Sequence, residues 1–196
     1  TVCRQIKTWL DMGTMRGKVA VNISALNFQQ ADFCDSVFSL INEEGDLIDY
    51  IELEVTETAM MRDPERALQS INLLKSKGFS IALDDFGTGH SSLGYLKKFP
   101  IDRLKIDRTF IKEIEFSTQD RNITSVIVQL AKHLGIAVIA EGIETEEQAY
   151  LLHVMGCNEI QGYFVSRPII AAQVESFVKV DARKLQGINE RDKALR

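Results

Sequence analysis

The sequence is poor in the residues that build secreted scaffolds and zinc sites. Its three cysteines, Cys3, Cys34 and Cys157, are far apart and form no CxxC pair. An odd, scattered count supplies neither a disulfide framework nor a zinc-ligand spacing. It fits reduced thiols in a cytoplasmic protein. Three prolines and 12 glycines in 196 residues exclude low-complexity linker material. No apolar run approaches the roughly 18 residues of a membrane-spanning helix. No basic start leads into an apolar core, so no secretion signal is visible. Positive charge is not in excess: 23 Lys and Arg against 28 Asp and Glu leave a net charge of -5, which argues against a broad nucleic-acid surface. What is present is an ordinary globular share of hydrophobic residues, 45%, in a length that suits one domain with a sizeable core. The chain opens on Thr1 inside a helical pattern, as a fragment of a longer protein does.

Short β-rich runs alternate with helical runs. The strands are expected at 19–24, 50–55, 80–86, 103–107, 137–143 and 159–164. Between them, Asp63-Pro64 supplies a cap and a first-turn proline for a helix closed by Gly78. Ile123, Val126, Ile127, Leu130, Ala131 and Leu134 recur at helical spacing up to Gly135. Thr145 and Gln148 make a capping box for a helix that Gly156 ends. Six strands separated by helices imply parallel pairing through right-handed crossovers. That leaves an open doubly wound sheet or a closed (β/α) barrel. Residues 1–183 read as one domain and 184–196 as a charged tail.

Buried parallel strands should be apolar throughout. Here each begins apolar and carries a polar residue near its C-terminal end: Asn22, Glu54, Asp84 with Asp85, Lys105 with Asp107, Glu141, and Gln161, with Glu57 and Glu144 close behind. A single carboxylate at such a place caps the next helix or meets solvent. Six strands delivering polar groups to one end is different, because parallel strands bring those ends to the face where α/β folds hold their active sites. So many carboxylates cannot all ionise together uncompensated. Divalent cations solve the problem, and oxygen ligands without His or Cys point to magnesium or manganese. Adjacent Asp84 and Asp85 suit a two-metal site for phosphodiester hydrolysis. Lys105 is a candidate for orienting water or neutralising phosphate, and Glu141 for the base. Gly87-Thr88-Gly89 followed by His90-Ser91-Ser92 reads either as a phosphate cradle or as a mobile loop coupled to Asp85. His133 and His153 lie in helical runs and carry no catalytic signal.

These segments together resemble the EAL domain, the bacterial phosphodiesterase family that acts on cyclic di-GMP. The resemblance is carried by Val21-Asn22-Ile23-Ser24, Glu52-Leu53-Glu54-Val55-Thr56-Glu57, Asp84-Asp85-Phe86-Gly87-Thr88-Gly89, Lys105-Ile106-Asp107, Ala140-Glu141-Gly142-Ile143-Glu144 and Gln161-Gly162-Tyr163, in family order over roughly residues 1 to 170. It implies a TIM-like (β/α)8 barrel with one antiparallel strand near its start. It implies hydrolysis to linear pGpG with Mg2+ or Mn2+, and a homodimer. It implies metal ligation by Asn22, Glu54, Asp84, Asp85 and Asp107. Lys105 would position water and Glu141 would serve as base or metal-site partner. Glu57 would hold the loop after the third strand, and Glu144, Gln161 and Asp85 would line the substrate site. No DNA, RNA or membrane contact by the domain is implied.

The family's Glu-Ala-Leu motif, and the arginine that follows it, do not occur in these residues. A (β/α)8 barrel typically needs about 250 residues, so the expectation is an incomplete barrel of six parallel strands. Its first two strands, with that metal-binding glutamate, would lie before Thr1 or be supplied by a partner chain. On that expectation the parent protein is the active enzyme and this segment alone is inactive. The alternatives are a non-hydrolytic EAL module that binds cyclic di-GMP or a protein partner, and, against the DDFGTG and Lys-x-Asp pieces, a barrel lyase of the enolase type.

Overall fold

The computed structural model describes residues 2–45, 47–89 and 93–180. The expected tail at 184–196 and the His90-Ser91-Ser92 part of the glycine loop lie outside the described residues. The chain forms two compact units, one ending at Leu104 and one beginning at Lys105.

In the first unit, α1 (Val2–Asp11) leads to β1 (Val19–Ile23), the short α2 (Ala25–Phe28) and α3 (Phe33–Glu44). A turn of 3-10 helix at Ile48–Tyr50 precedes β2 (Ile51–Thr56), followed by α4 (Glu57–Arg62) and α5 (Pro64–Ser76), then β3 (Ser80–Phe86) and α6 (Leu93–Leu96). The strand β4 (Arg103–Ile106) carries the boundary between the units. The second unit continues with α7 (Arg108–Ile111), α8 (Thr118–Leu134), β5 (Ala137–Glu141), α9 (Glu146–Met155), β6 (Glu159–Gln161) and α10 (Val174–Val180). Among the described residues no helix is long and apolar enough to cross a membrane.

The helix boundaries follow local chemistry. Asp63 caps α5 by accepting the Arg66 N–H at 3.2 Å, with Pro64 in the first turn. Thr145 and Gln148 form the reciprocal capping box of α9, and Gly135 and Gly156 end α8 and α9 in the left-handed conformation. The sixth strand is three residues shorter than its pattern suggests. Gly162 sits against the backbone of Ile143, where a Cβ would lie 2.2 Å from the Ile143 carbonyl oxygen and 2.3 Å from its nitrogen. No other residue fits there, and the chain turns away through Tyr163.

β1 pairs β2 and β2 pairs β3 in parallel, with Ala20 opposite Glu52, Asn22 opposite Glu54, Glu52 opposite Ser80 and Thr56 opposite Asp84. β5 pairs β6 in parallel, with Glu141 opposite Gln161. Side chains alternate faces along a strand, so Glu52, Glu54 and Thr56 share one face of β2. The opposite face buries Ile51, Leu53 and Val55.

One device recurs at the start of the strands. The Asp102 carboxylate accepts the Ile81 N–H at 2.8 Å, and the Asp102 N–H returns a bond to the Ile81 carbonyl at 2.9 Å. Lys75 closes on the same carboxylate at 2.7 Å. In the second unit the Asn158 side chain accepts the Val138 N–H at 2.7 Å, and the Asn158 N–H donates to the Val138 carbonyl at 3.2 Å.

Candidate active site

In the first unit, Asn22, Glu54 and Asp84 stand on three adjacent parallel strands. Asn22 and Glu54 are register partners, and Asp84 lies one pleat further along, opposite Thr56. Asn22 is exposed, whereas Glu54 and Asp84 are only 6% and 8% exposed. The three are oxygen donors: one carboxamide and two carboxylates. Among the described residues no three His, Cys, Asp or Glu form a metal-binding group. Two buried carboxylates and an amide fit a hard divalent ion that keeps part of its water shell, as magnesium does.

Asp85 has φ 55°, the one described non-glycine residue in the left-handed region. Its carbonyl accepts the Thr88 hydroxyl at 2.8 Å and the Thr88 N–H at 3.3 Å, and its own N–H donates to Asp84 Oδ1 at 3.0 Å. The turn is also tied from below. Glu57, the first residue of α4, is fully buried, and its Oε2 accepts the Gly87 N–H at 2.8 Å. Its Oε1 is buried without a hydrogen-bond partner among the described residues. Gly89 packs on that oxygen, so that a Cβ there would lie 2.6 Å from it.

In the second unit, Lys105 on β4 is 4% exposed, and its Nζ lies 2.8 Å from Glu141 Oε1 at the end of β5. Gln161, opposite Glu141 in register, is exposed. Asp107 follows β4 and caps α7, accepting the Thr109 N–H at 2.9 Å. Burial pushes its carboxyl upward, but hydrogen bonds from Thr109 and Arg108, with the Arg108 charge, outweigh that and hold its pKa below the usual value. Glu144 is exposed, and its N–H donates to Gln148 Oε1 at 2.8 Å within the α9 cap. The structure thus places Asn22, Glu54, Asp84, Asp85 and Glu57 in the first unit, and Lys105, Asp107, Glu141, Glu144 and Gln161 in the second.

Sequence reasoning missed a polar layer in the first unit. Glu52 is 3% exposed; its Oε2 accepts the Ser80 hydroxyl at 2.8 Å and lies 3.2 Å from Arg103 Nε. Period-two alternation marks Glu52 and Glu54 alike, and only their partners separate them. The Thr88 contact with Asp85 was also missed, although a threonine three residues after a strand-end aspartate is a turn signal.

Residues 1–168 match the family model for the EAL domain. The chain is 44% identical over 172 residues to the bifunctional diguanylate cyclase/cyclic di-GMP phosphodiesterase MucR of Pseudomonas aeruginosa, a match covering 88% of this chain and 25% of MucR. It is 42% identical over 176 residues to the signaling protein YkoW of Bacillus subtilis, covering 90% of this chain and 22% of YkoW. The chain therefore spans about a quarter of the length of these curated relatives. The solved structure of the PaMucR phosphodiesterase in complex with c-di-GMP matches at a TM-score of 0.84 and 44% identity, over 88% of this chain and 70% of that one. Klebsiella pneumoniae BlrP1, solved as a manganese/cyclic di-GMP complex, matches at a TM-score of 0.75 and 28% identity, over 85% of this chain and 42% of BlrP1. The fold class is accordingly that of these structures, a TIM-like barrel, of which the described residues supply six strands. The chain belongs to the EAL domain family.

Proposed function

We propose that this domain serves in the metal-dependent hydrolysis of cyclic di-GMP to linear pGpG. The observation that carries the reading is the ion pair between buried Lys105 and half-buried Glu141 at the ends of β4 and β5. Burying a lysine to pair it with a carboxylate contributes little net stability compared with apolar packing, so the pair's presence at two strand ends is better explained by chemistry than by folding. The relatives named as cyclic di-GMP phosphodiesterases, and the cyclic di-GMP complexes among the similar structures, supply the substrate.

Asn22, Glu54 and Asp84, with Asp85 and Asp107, would hold Mg2+ or Mn2+, which when bound activates a water for attack on phosphorus and stabilises the leaving oxygen. Lys105 carries its ammonium to the phosphate or the attacking water, held in place by Glu141. Glu141 accepts the proton that the water gives up. Glu57 fixes the Gly87 N–H and through that turn the placement of Asp85. Gln161 and Glu144 contact the nucleotide. Homodimerisation, a cytoplasmic location and the absence of nucleic-acid or membrane contact by the domain belong to the same reading.

The test is incubation of the full-length protein with cyclic di-GMP and magnesium, then manganese, with pGpG as the readout. Binding without product under both metals overturns the enzyme reading in favour of a sensor module. Glu141→Gln is the informative variant: glutamine retains an acceptor for Lys105 while losing basicity, and turnover is expected to fall at least a hundredfold. Retained activity removes Glu141 from the role of base.

A further inference from the structure

Arg108 has no part in the roles assigned above, yet it stands between two segments that do. It follows Asp107 at the end of β4 and opens α7. Its stem crosses the segment after β5. A Cβ on Gly142, the residue after Glu141, would lie 2.5 Å from the Arg108 Cβ and 3.4 Å from its Cα. Gly142 also has φ 73°, so space and backbone both call for glycine there. This close approach fixes the root of the arginine between the ends of β4 and β5, the end that carries Lys105 and Glu141. Arg108 itself is exposed. Its charge acts on the Asp107 carboxylate, which accepts the Thr109 N–H at 2.9 Å. Among the described residues no carboxylate closes an ion pair with it. Lys105, by contrast, is 4% exposed and lies 2.8 Å from Glu141 Oε1. These strand ends thus carry two cations at different depths. The outer one keeps its planar set of five donors, the geometry that matches a phosphate.

We propose that Arg108 binds the cyclic dinucleotide through the phosphodiester that is not cut. The inference rests on the reading that the domain takes cyclic di-GMP and that Lys105 serves the phosphate under attack. A cyclic dinucleotide carries two phosphodiesters, with one negative charge on each. The buried ammonium meets one of them, and the exposed guanidinium takes the other in charge-assisted hydrogen bonds. Such a contact is made equally in the ground state and the transition state. Its loss therefore raises KM and leaves kcat in place.

The test uses the full-length protein and two ligands: cyclic di-GMP, and an analogue in which one phosphodiester is a neutral methylphosphonate, so that only the other can be cut. Affinity is read as KM where product forms and as Kd where none does. Arg108→Met keeps a stem over Gly142 and removes the charge. It is expected to raise KM for cyclic di-GMP about tenfold, the order that one charge-assisted hydrogen bond supplies, with kcat within about twofold of wild type. Arg108→Lys is expected to recover part of the loss. Wild-type protein is expected to bind the analogue about tenfold more weakly than cyclic di-GMP, and Arg108→Met to bind the two alike. A structural role would lower affinity for both ligands together and leave that preference intact. A preference retained in Arg108→Met, or a fall in kcat with KM unchanged, overturns the proposal. Should Arg108→Met not fold, Arg108→Gln carries the same comparison. Wild-type protein that binds cyclic di-GMP but forms no pGpG overturns the proposed hydrolysis, and the two Kd values then decide on Arg108. Wild-type protein that does not bind cyclic di-GMP overturns both.

Discussion

The Glu57 carboxylate receives the Gly87 N–H at 2.8 Å while packing its second oxygen against Gly89. The bond crosses from the first turn of α4 to the loop after β3, and it anchors the segment that begins with the left-handed Asp85. Glu57→Ala leaves a backbone donor without its charged acceptor, at a cost of about 1–3 kcal/mol. The expected result is faster hydrogen exchange at Gly87 and Thr88 and weaker divalent-cation binding. Unchanged exchange would mean that the loop is held by other contacts.

Gly89→Ala attacks the same contact from the other side. Its Cβ would fall 2.6 Å from Glu57 Oε1. The carboxylate is fully buried and cannot swing aside without releasing Gly87. The alanine variant is expected to reproduce the Glu57→Ala exchange pattern while retaining every proposed metal ligand. Wild-type exchange in this variant would show that the loop absorbs the methyl group elsewhere.

Breaking the Lys105–Glu141 pair is expected to be asymmetric. Glu141→Ala removes one partner from a lysine whose side chain is 5% exposed, whereas Lys105→Met removes one from a carboxylate 20% exposed. Losing an ion-pair partner costs more at a buried charge than at one that water reaches. Chemical denaturation should therefore show the larger loss for Glu141→Ala. Glutamine, which keeps the side-chain volume and an oxygen acceptor for Lys105, is therefore a milder probe of the catalytic role than alanine.

Gly162→Ala is expected to be among the most damaging single-methyl changes in the second unit. The obstructing atoms are backbone, the Ile143 nitrogen and carbonyl oxygen at 2.3 and 2.2 Å. They are held in place by bonds from the Ile143 N–H to the Gln161 carbonyl and from the Phe164 N–H to the Ile143 carbonyl. Overpacking costs of about 1–3 kcal/mol apply where side chains can shift, and here they cannot. A lowered melting temperature checks it.

Burial pushes the Cys157 thiol up to about 11, against an ordinary value of 9.0. It also donates to the Glu159 carbonyl at 3.2 Å. Disulfide-exchange reagents at pH 8 should modify it more slowly than the same cysteine in denaturant. The folded state retains this proton between pH 9 and 11 while the unfolded chain loses it, so this contribution to stability is intact below pH 9 and declines as pH rises through that window. Replacement by alanine should flatten this part of the stability profile.

Local chemistry was legible in the sequence, and distant partners were not. Asp63-Pro64, the Thr145–Gln148 box and the glycines at 135 and 156 were readable because each motif acts within about one helical turn. All six strands were readable from their apolar runs, but the early end of β6 depends on Ile143, which belongs to the segment after β5. Glu52 and Glu54 look identical in a period-two pattern. What separates them is Ser80 and Arg103, brought from β3 and β4 by the fold. The resemblance implies metal ligation by Asp107, and what the structure shows of this side chain is the cap on α7, a local role that the sequence pattern did not separate from ligation.

The paired bonds at Ile81–Asp102 and Val138–Asn158 act as the zero mark of a ruler. Each brackets the second residue of its strand, and in each case the carboxylate proposed for the site, Asp84 or Glu141, comes three residues later. An odd offset places that carboxylate on the opposite face from the bracketed residue. A slip of one residue would turn it toward the helices and bring an apolar neighbour into its place. The chemistry proposed at one end of the strands is thus aimed by two ordinary side chains at the other.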